Sequence, residues 1–122
     1  MATPALATVV LDCSDAHELA AFYAELLGWP ITAREPDWVL LRDPHGGTGL
    51  ACQAEAGYVP PAWPERPGAQ QKMLHLDFQV TDLAASSARA VAAGAAPYDI
   101  QPQEDVRVLR DPAGHPFCLF LH

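Results

Sequence analysis

His75, Asp77 and Gln79 alternate through the stretch His75-Leu76-Asp77-Phe78-Gln79-Val80. An extended chain turns all three side chains to one face. A neutral imidazole oriented by a carboxylate is a workable general base near neutral pH. The two residues stand about 7 Å apart along a strand, so pairing them requires the side chains to lean together. A second stretch, Thr8-Val9-Val10-Leu11-Asp12, puts Thr8, Val10 and Asp12 on one face in the same way. His75, Asp77, Gln79 and Asp12 are therefore candidates for a polar cluster lining a cleft. The plainer alternative for His75 is a half-buried histidine hydrogen-bonded across a sheet.

A second group of residues is suited to recognition. Trp38 lies in a β-prone run, and Tyr58 and Trp63 lie in a segment with Pro60, Pro61, Pro64 and Pro67. A proline-stiffened connector bearing Tyr and Trp is suited to fold over a cleft and stack a flat ligand. The alternative is that Trp38 and Trp63 complete a core and a dimer seam, the role also expected for Trp29. Cys118, between Phe117 and Leu119, reads more readily as core packing than as a reactive thiol, because nothing cationic is assured beside it. Cys13 and Cys52 are weaker candidates. His115 and His45 fall in turns, His17 at a helix start and His122 at the terminus.

The elements that must position these residues come in duplicate. Leu41-Arg42-Asp43-Pro44 recurs as Leu109-Arg110-Asp111-Pro112, with Gly46 and Gly114 at matched positions, and Asp15 and Pro30 recur as Asp82 and Pro97. A period of about 67 residues used twice signals a duplicated supersecondary module. In the first copy a strand over 6–11 leads to a helix capped by Ser14 or Asp15, with Glu18 in its first turn and an apolar stripe of Leu19, Phe22, Tyr23, Leu26 and Leu27. Gly28 and Pro30 end that helix. Strands are predicted over 31–35, 37–42 and 49–54, with a turn at Asp43-Pro44-His45-Gly46-Gly47. The second copy predicts a strand over 73–80, an alanine-rich and hence closely packed helix over 82–93, and strands near 96–99, 105–110 and 116–121. The organisation expected is one domain over 1–122, with module 1 at about 1–54, a connector at 55–72 and module 2 at about 73–122.

Composition narrows the partners. The chain has 122 residues, half of them hydrophobic, and a formal charge of −8 with a pI near 4.8. These values fit a globular domain and argue against nucleic acid and anionic membranes as partners. No apolar run is long enough for a membrane span. Three cysteines, an odd number, make no disulfide framework, and a cytoplasmic setting is expected.

A strand-helix-strand-strand-strand unit used twice resembles the vicinal oxygen chelate superfamily, which includes glyoxalase I, extradiol dioxygenases, and bleomycin- and fosfomycin-resistance proteins. The resemblance rests on Phe22-Tyr23 with Leu26-Leu27-Gly28-Trp29, on His75-Leu76-Asp77-Phe78-Gln79-Val80-Thr81-Asp82-Leu83, and on Asp111-Pro112-Ala113-Gly114-His115-Pro116-Phe117. It is closest to the glyoxalase-like proteins common in actinobacteria. It implies an α+β fold of two tandem βαβββ modules forming a curved-sheet cup, often completed in a homodimer.

The same resemblance implies, for enzymatic members, a divalent ion held by four inward side chains on the first and last strands of each module. Here those positions fall on Thr8, on Leu50 or Gln53, on His75 and on Cys118. Only His75 is a standard ligand in its expected place, and Cys118 stands where the pattern has Glu. No cofactor is therefore expected, with a divalent metal held by His75 and Cys118 as the alternative.

Three functions follow as expectations. The first is a homodimeric, cytoplasmic, metal-free binder of an aromatic or drug-like molecule, of the bleomycin-resistance type. Its ligand contacts would be Thr8, Asp12, Trp38, Tyr58, Trp63, His75, Asp77, Gln79 and Cys118. The second is a lyase, isomerase or dioxygenase-like enzyme, with His75 and Asp77 catalytic or His75 and Cys118 on a metal. The third is a structural module with a vestigial cup.

Overall fold

The computed structural model describes residues 2–121. The chain divides into two compact units, Met1–Tyr58 and Val59–His122, and each repeats the same plan.

In the first unit β1 (Thr8–Cys13) leads to α1 (Ala16–Leu27), then β2 (Ile31–Glu35), β3 (Trp38–Leu41) and β4 (Gly49–Ala54). Asp15 is the N-cap of α1. Its extended backbone lets the carboxylate accept the N–H groups of His17 and Glu18, both at 3.1 Å. Gly28 closes the helix in the left-handed conformation at φ 69°, which a glycine adopts without a Cβ penalty. The sheet order is β1-β4-β3-β2, with β1 and β4 parallel. A parallel pair needs a long crossover, and here α1, β2 and β3 supply it. Leu11, Cys13, Val39, Leu41, Leu50 and Cys52 point to the face covered by α1, against Leu19, Phe22 and Tyr23. Leu26 and Leu27, expected in the buried stripe, are only half-buried.

The second unit runs β5 (Leu76–Gln79), α2 (Leu83–Ala93), β6 (Ala96–Pro97), β7 (Val106–Arg110) and β8 (Pro116–Phe120), ordered β5-β8-β7-β6 with β5 and β8 parallel. Asp82 caps α2 by accepting the Ala85 N–H at 3.0 Å. Phe117, Leu119 and Leu109 form the buried layer, and Phe78 meets Phe117 edge-on at 5.9 Å. Of the alanine-rich helix only Leu83 and Ala90 are buried, so most of its alanines serve helix propensity rather than the expected close packing. The strand predicted over 73–80 is shorter. Pairing begins at Leu76 because residues 73–75 have no partner on β8, and Met73 and Leu74 are exposed. His122 lies outside the described residues.

Each sheet thus has one face covered by its helix and one face that is not. The helix-free faces carry Thr8, Asp12 and Trp38 in the first unit and Asp77, Gln79 and Cys118 in the second.

Candidate functional site

On the second sheet, register alone sorts the side chains. Asp77 pairs with Cys118, and Cys118 with Val108, so the three form one row across the helix-free face. His75 stands one residue before β5, in line with the next row, Pro116 and Arg110. The lean that the sequence required is present: His75 Nε2 lies 3.2 Å from Asp77 Oδ1, with the two side chains 41% and 56% exposed. From the other side the Cys118 thiol donates a hydrogen bond to Asp77, which thus serves imidazole and thiol together. Gln79 lies further along the same face, beside Phe120.

The electrostatics bear on what Cys118 can do. Burial pushes its thiol pKa up, the Asp77 charge and the hydrogen bond to it add to the rise, and Lys72 opposes it. A thiol held protonated is a poor nucleophile. Its side chain nevertheless lies in the polar row rather than in the apolar layer. With Nε2–H given to Asp77, His75 Nδ1 keeps its lone pair and is the atom that would take a substrate proton.

His75, Asp77 and Cys118 each offer one donor atom, and the three lie within 4.8 Å of one another. Nitrogen, oxygen and sulfur together suit a zinc-like ion better than Mg²⁺ or Ca²⁺, and three protein donors leave a coordination position open. The trio fits such an ion, provided Cys118 gives up the proton that its surroundings hold.

The first unit does not repeat this chemistry. Leu50 pairs with Val9 and Leu41 on the α1 side and is 5% exposed, as its counterpart Phe117 pairs with Leu76 and Leu109. The residue matching Cys118 is therefore Ala51, not Leu50 or Gln53 as the sequence suggested, and Gln53 matches Phe120. The turn joining β3 to β4 has one more residue between paired positions than the turn joining β7 to β8, and this shifts the match by one. Ala51 has no donor. Thr8, matching His75, accepts a hydrogen bond from Arg42 Nη2 at 3.4 Å. Thr8 and Asp12 share their face of the sheet with Gln53 and half-buried Trp38.

The aromatic residues fall in both units. Tyr58 ends the first unit, half-buried, with its N–H on the Glu55 carbonyl. Trp63 belongs to the second unit and packs edge-on against Tyr98, ring centroids 4.9 Å apart. The Arg110 guanidinium lies over the Tyr98 ring at 5.4 Å. Trp63, Tyr98 and Arg110 border a groove of about 500 Å³, lined also by the Pro60–Pro64 segment and the turn from Asp111 to Gly114. Burial raises the Tyr98 phenol pKa, Arg110 lowers it and Asp111 raises it.

Tyr98 and Arg110 were not singled out from the sequence. The available signal was parity: Tyr98 follows β6 and its N–H meets the Val108 carbonyl, which sets it on the same face as Arg110.

The turn itself is built on Asp111, which is 3% exposed. Its carboxylate accepts the N–H groups of Ala113 and His115 at 2.9 and 3.0 Å and meets His115 Nδ1 at 2.8 Å. His115 is thus a turn residue, as expected. Its counterpart His45 makes the same contact with Asp43 at 3.2 Å, but exposed.

The glyoxalase-like domain model matches residues 8–120. The chain belongs to the glyoxalase-like domain family. It carries the vicinal oxygen chelate architecture, as do solved structures of similar fold. One is a glyoxalase/bleomycin resistance protein/dioxygenase family enzyme from Burkholderia phytofirmans PsJN, 18% identical, with a TM-score of 0.71 over 97% of this chain and 98% of that one. A second is TnmS3, an antibiotic binding protein from Streptomyces sp. CB03234, at 22%, 0.65, 99% and 98%. A third is lactoylglutathione lyase from Agrobacterium tumefaciens, at 17%, 0.63, 98% and 94%. At such identities the likeness is one of fold. No curated protein matches the chain. Among the described residues no helix is long and apolar enough to cross a membrane.

Proposed function

We propose that the protein binds and sequesters a small planar organic molecule, without a metal, on the helix-free face of its second module. The observation that carries this reading is the Trp63–Tyr98–Arg110 cluster beside a groove of about 500 Å³. That volume lies within the usual range for small-molecule sites, and an aromatic wall with few polar groups is their usual lining. His75 and Asp77, further across the same face, supply polar contacts. The presence of Thr8 and Ala51 at the positions matching His75 and Cys118 weighs against the four-ligand metal site of the superfamily's enzymes. That an antibiotic binding protein has this fold supports the same reading. Titration with planar aromatic compounds, followed by tryptophan fluorescence, tests it. Saturable quenching, weakened roughly tenfold or more in Trp63→Ala, is expected. Equal quenching in the variant would remove Trp63 from the site.

A second reading, an enzyme of lyase, isomerase or dioxygenase type, is favoured by one contact: His75 Nε2 to Asp77 Oδ1 at 3.2 Å, beside a thiol able to complete a metal trio. A lactoylglutathione lyase shares the fold. Metal analysis of protein offered Zn²⁺, Mn²⁺ and Fe²⁺, with His75→Ala alongside, separates the two readings. A cytoplasmic setting and a homodimer belong to the first reading, and exposed Leu6, Val59, Met73 and Leu74 support the homodimer. A monomer by light scattering would remove the homodimer from it.

A further inference from the structure

The formal charge of −8 suggests a cationic ligand, and the groove contradicts that suggestion. Its charged lining is Arg66, Arg110 and Asp111. Asp111 is turned into its own turn, where two backbone N–H groups and the His115 ring occupy its carboxylate. Among the described residues neither Arg66 nor Arg110 is ion-paired with a carboxylate. Asp99 borders only the adjoining recess of about 310 Å³, which it shares with Tyr98 and Arg110. The Arg110 guanidinium carbon lies 5.4 Å from the Tyr98 ring centroid and borders the groove, and a guanidinium has the fork of N–H donors that binds an oxyanion in bidentate fashion.

We infer that the groove takes an aromatic carboxylate, its ring against Trp63 and Tyr98 and its oxyanion on Arg110 and Arg66. The inference rests on the ligand-binding reading above and adds the charge class of the ligand. Two guanidiniums in an otherwise acidic chain make the groove a local basin for anions, so net charge misreports its preference. The aromatic edge supplies contact area, and the arginines supply orientation and selectivity.

The experiment is calorimetric titration of the full chain with three probes of one shape: 2-naphthoate, neutral 2-naphthamide and 2-naphthylmethylammonium. Naphthoate is expected to bind tightest, by roughly tenfold over the amide, the scale of one charge-assisted hydrogen bond. Arg110→Gln and, separately, Arg66→Gln should each erase most of the margin of naphthoate over amide. Arg66 is exposed, so its variant stays folded even if Arg110→Gln disturbs Tyr98. Equal affinity for naphthoate and amide would overturn the charge class and leave ligand binding standing. Tightest binding of the ammonium would also overturn it. Binding of none of the three would overturn both readings.

Discussion

The duplicated turn supplies its own control for a test of how the groove wall is built. Gly46 and Gly114 sit at matched positions, both at φ 92°, and each donates its N–H to the carbonyl of its turn aspartate, Asp43 or Asp111. A Cβ placed on Gly46 would meet nothing within 4 Å, whereas one on Gly114 would lie 2.8 Å from the Pro60 Cβ. Alanine at Gly46 therefore carries only the backbone penalty of a left-handed residue, about 1–2 kcal/mol. Alanine at Gly114 carries the same penalty plus an overpacking cost of about 1–3 kcal/mol, because Pro60 is a stiff ring close to the backbone. The difference between the two variants isolates the contact between turn and connector. Urea denaturation with unchanged m-values measures it. Pro60→Gly removes the offending atom, so the double variant should recover most of the excess, read as a coupling energy. Probe binding should weaken in Gly114→Ala and not in Gly46→Ala, since only the former moves a groove wall. Equal destabilisation by the two alanines, with no coupling to Pro60, would refute the packing of the connector on the turn.

Other expectations follow from the polar row and the phenol. Alkylation of Cys118 should titrate above the ordinary thiol value of 9.0, and Asp77→Asn should bring the midpoint down by removing the negative charge; a wild-type midpoint at or below the ordinary value contradicts this. Cys118 and Tyr98 both have raised pKa values, so the folded chain keeps protons that the unfolded chain releases first. The stability they contribute is whole below the unfolded values and is lost as pH climbs through the folded ones. The urea midpoint should therefore fall from about pH 9 upward, and a rise there would show the sign to be wrong. His75→Ala should lower ligand affinity while moving the melting temperature by only a few degrees, because an exposed side chain is removed. A large loss of stability with affinity intact would make His75 a structural residue.

Much of the scaffold was legible because it depends on local signals. Asp15 and Asp82 cap helices, Gly28 and Gly94 end them, and the repeated Asp-Pro turn announces the duplication. The His75–Asp77 pair was legible because strand parity puts alternate residues on one face. Other features depended on register, which a sequence shows only through loop length. One extra residue in the β3–β4 turn was enough to put the counterpart of Cys118 on Ala51 instead of Leu50 or Gln53. The groove was harder to see still. Trp63 was visible as an aromatic among prolines, but its partner Tyr98 lies 35 positions along the sequence and joins it only through tertiary packing. Arg66 and Arg110 were hidden by the net charge, which averages over the surface and says nothing of a single groove.

The most direct test of metal-free ligand binding is calorimetric titration of 2-naphthoate and 2-naphthamide into chain freed of divalent ions by chelator. Saturable binding near one ligand per chain, unchanged when Zn²⁺ is restored, is the expected result. Heat that appears only after Zn²⁺ is restored, with about one metal per chain that His75→Ala loses, would contradict it and make His75, Asp77 and Cys118 a metal centre.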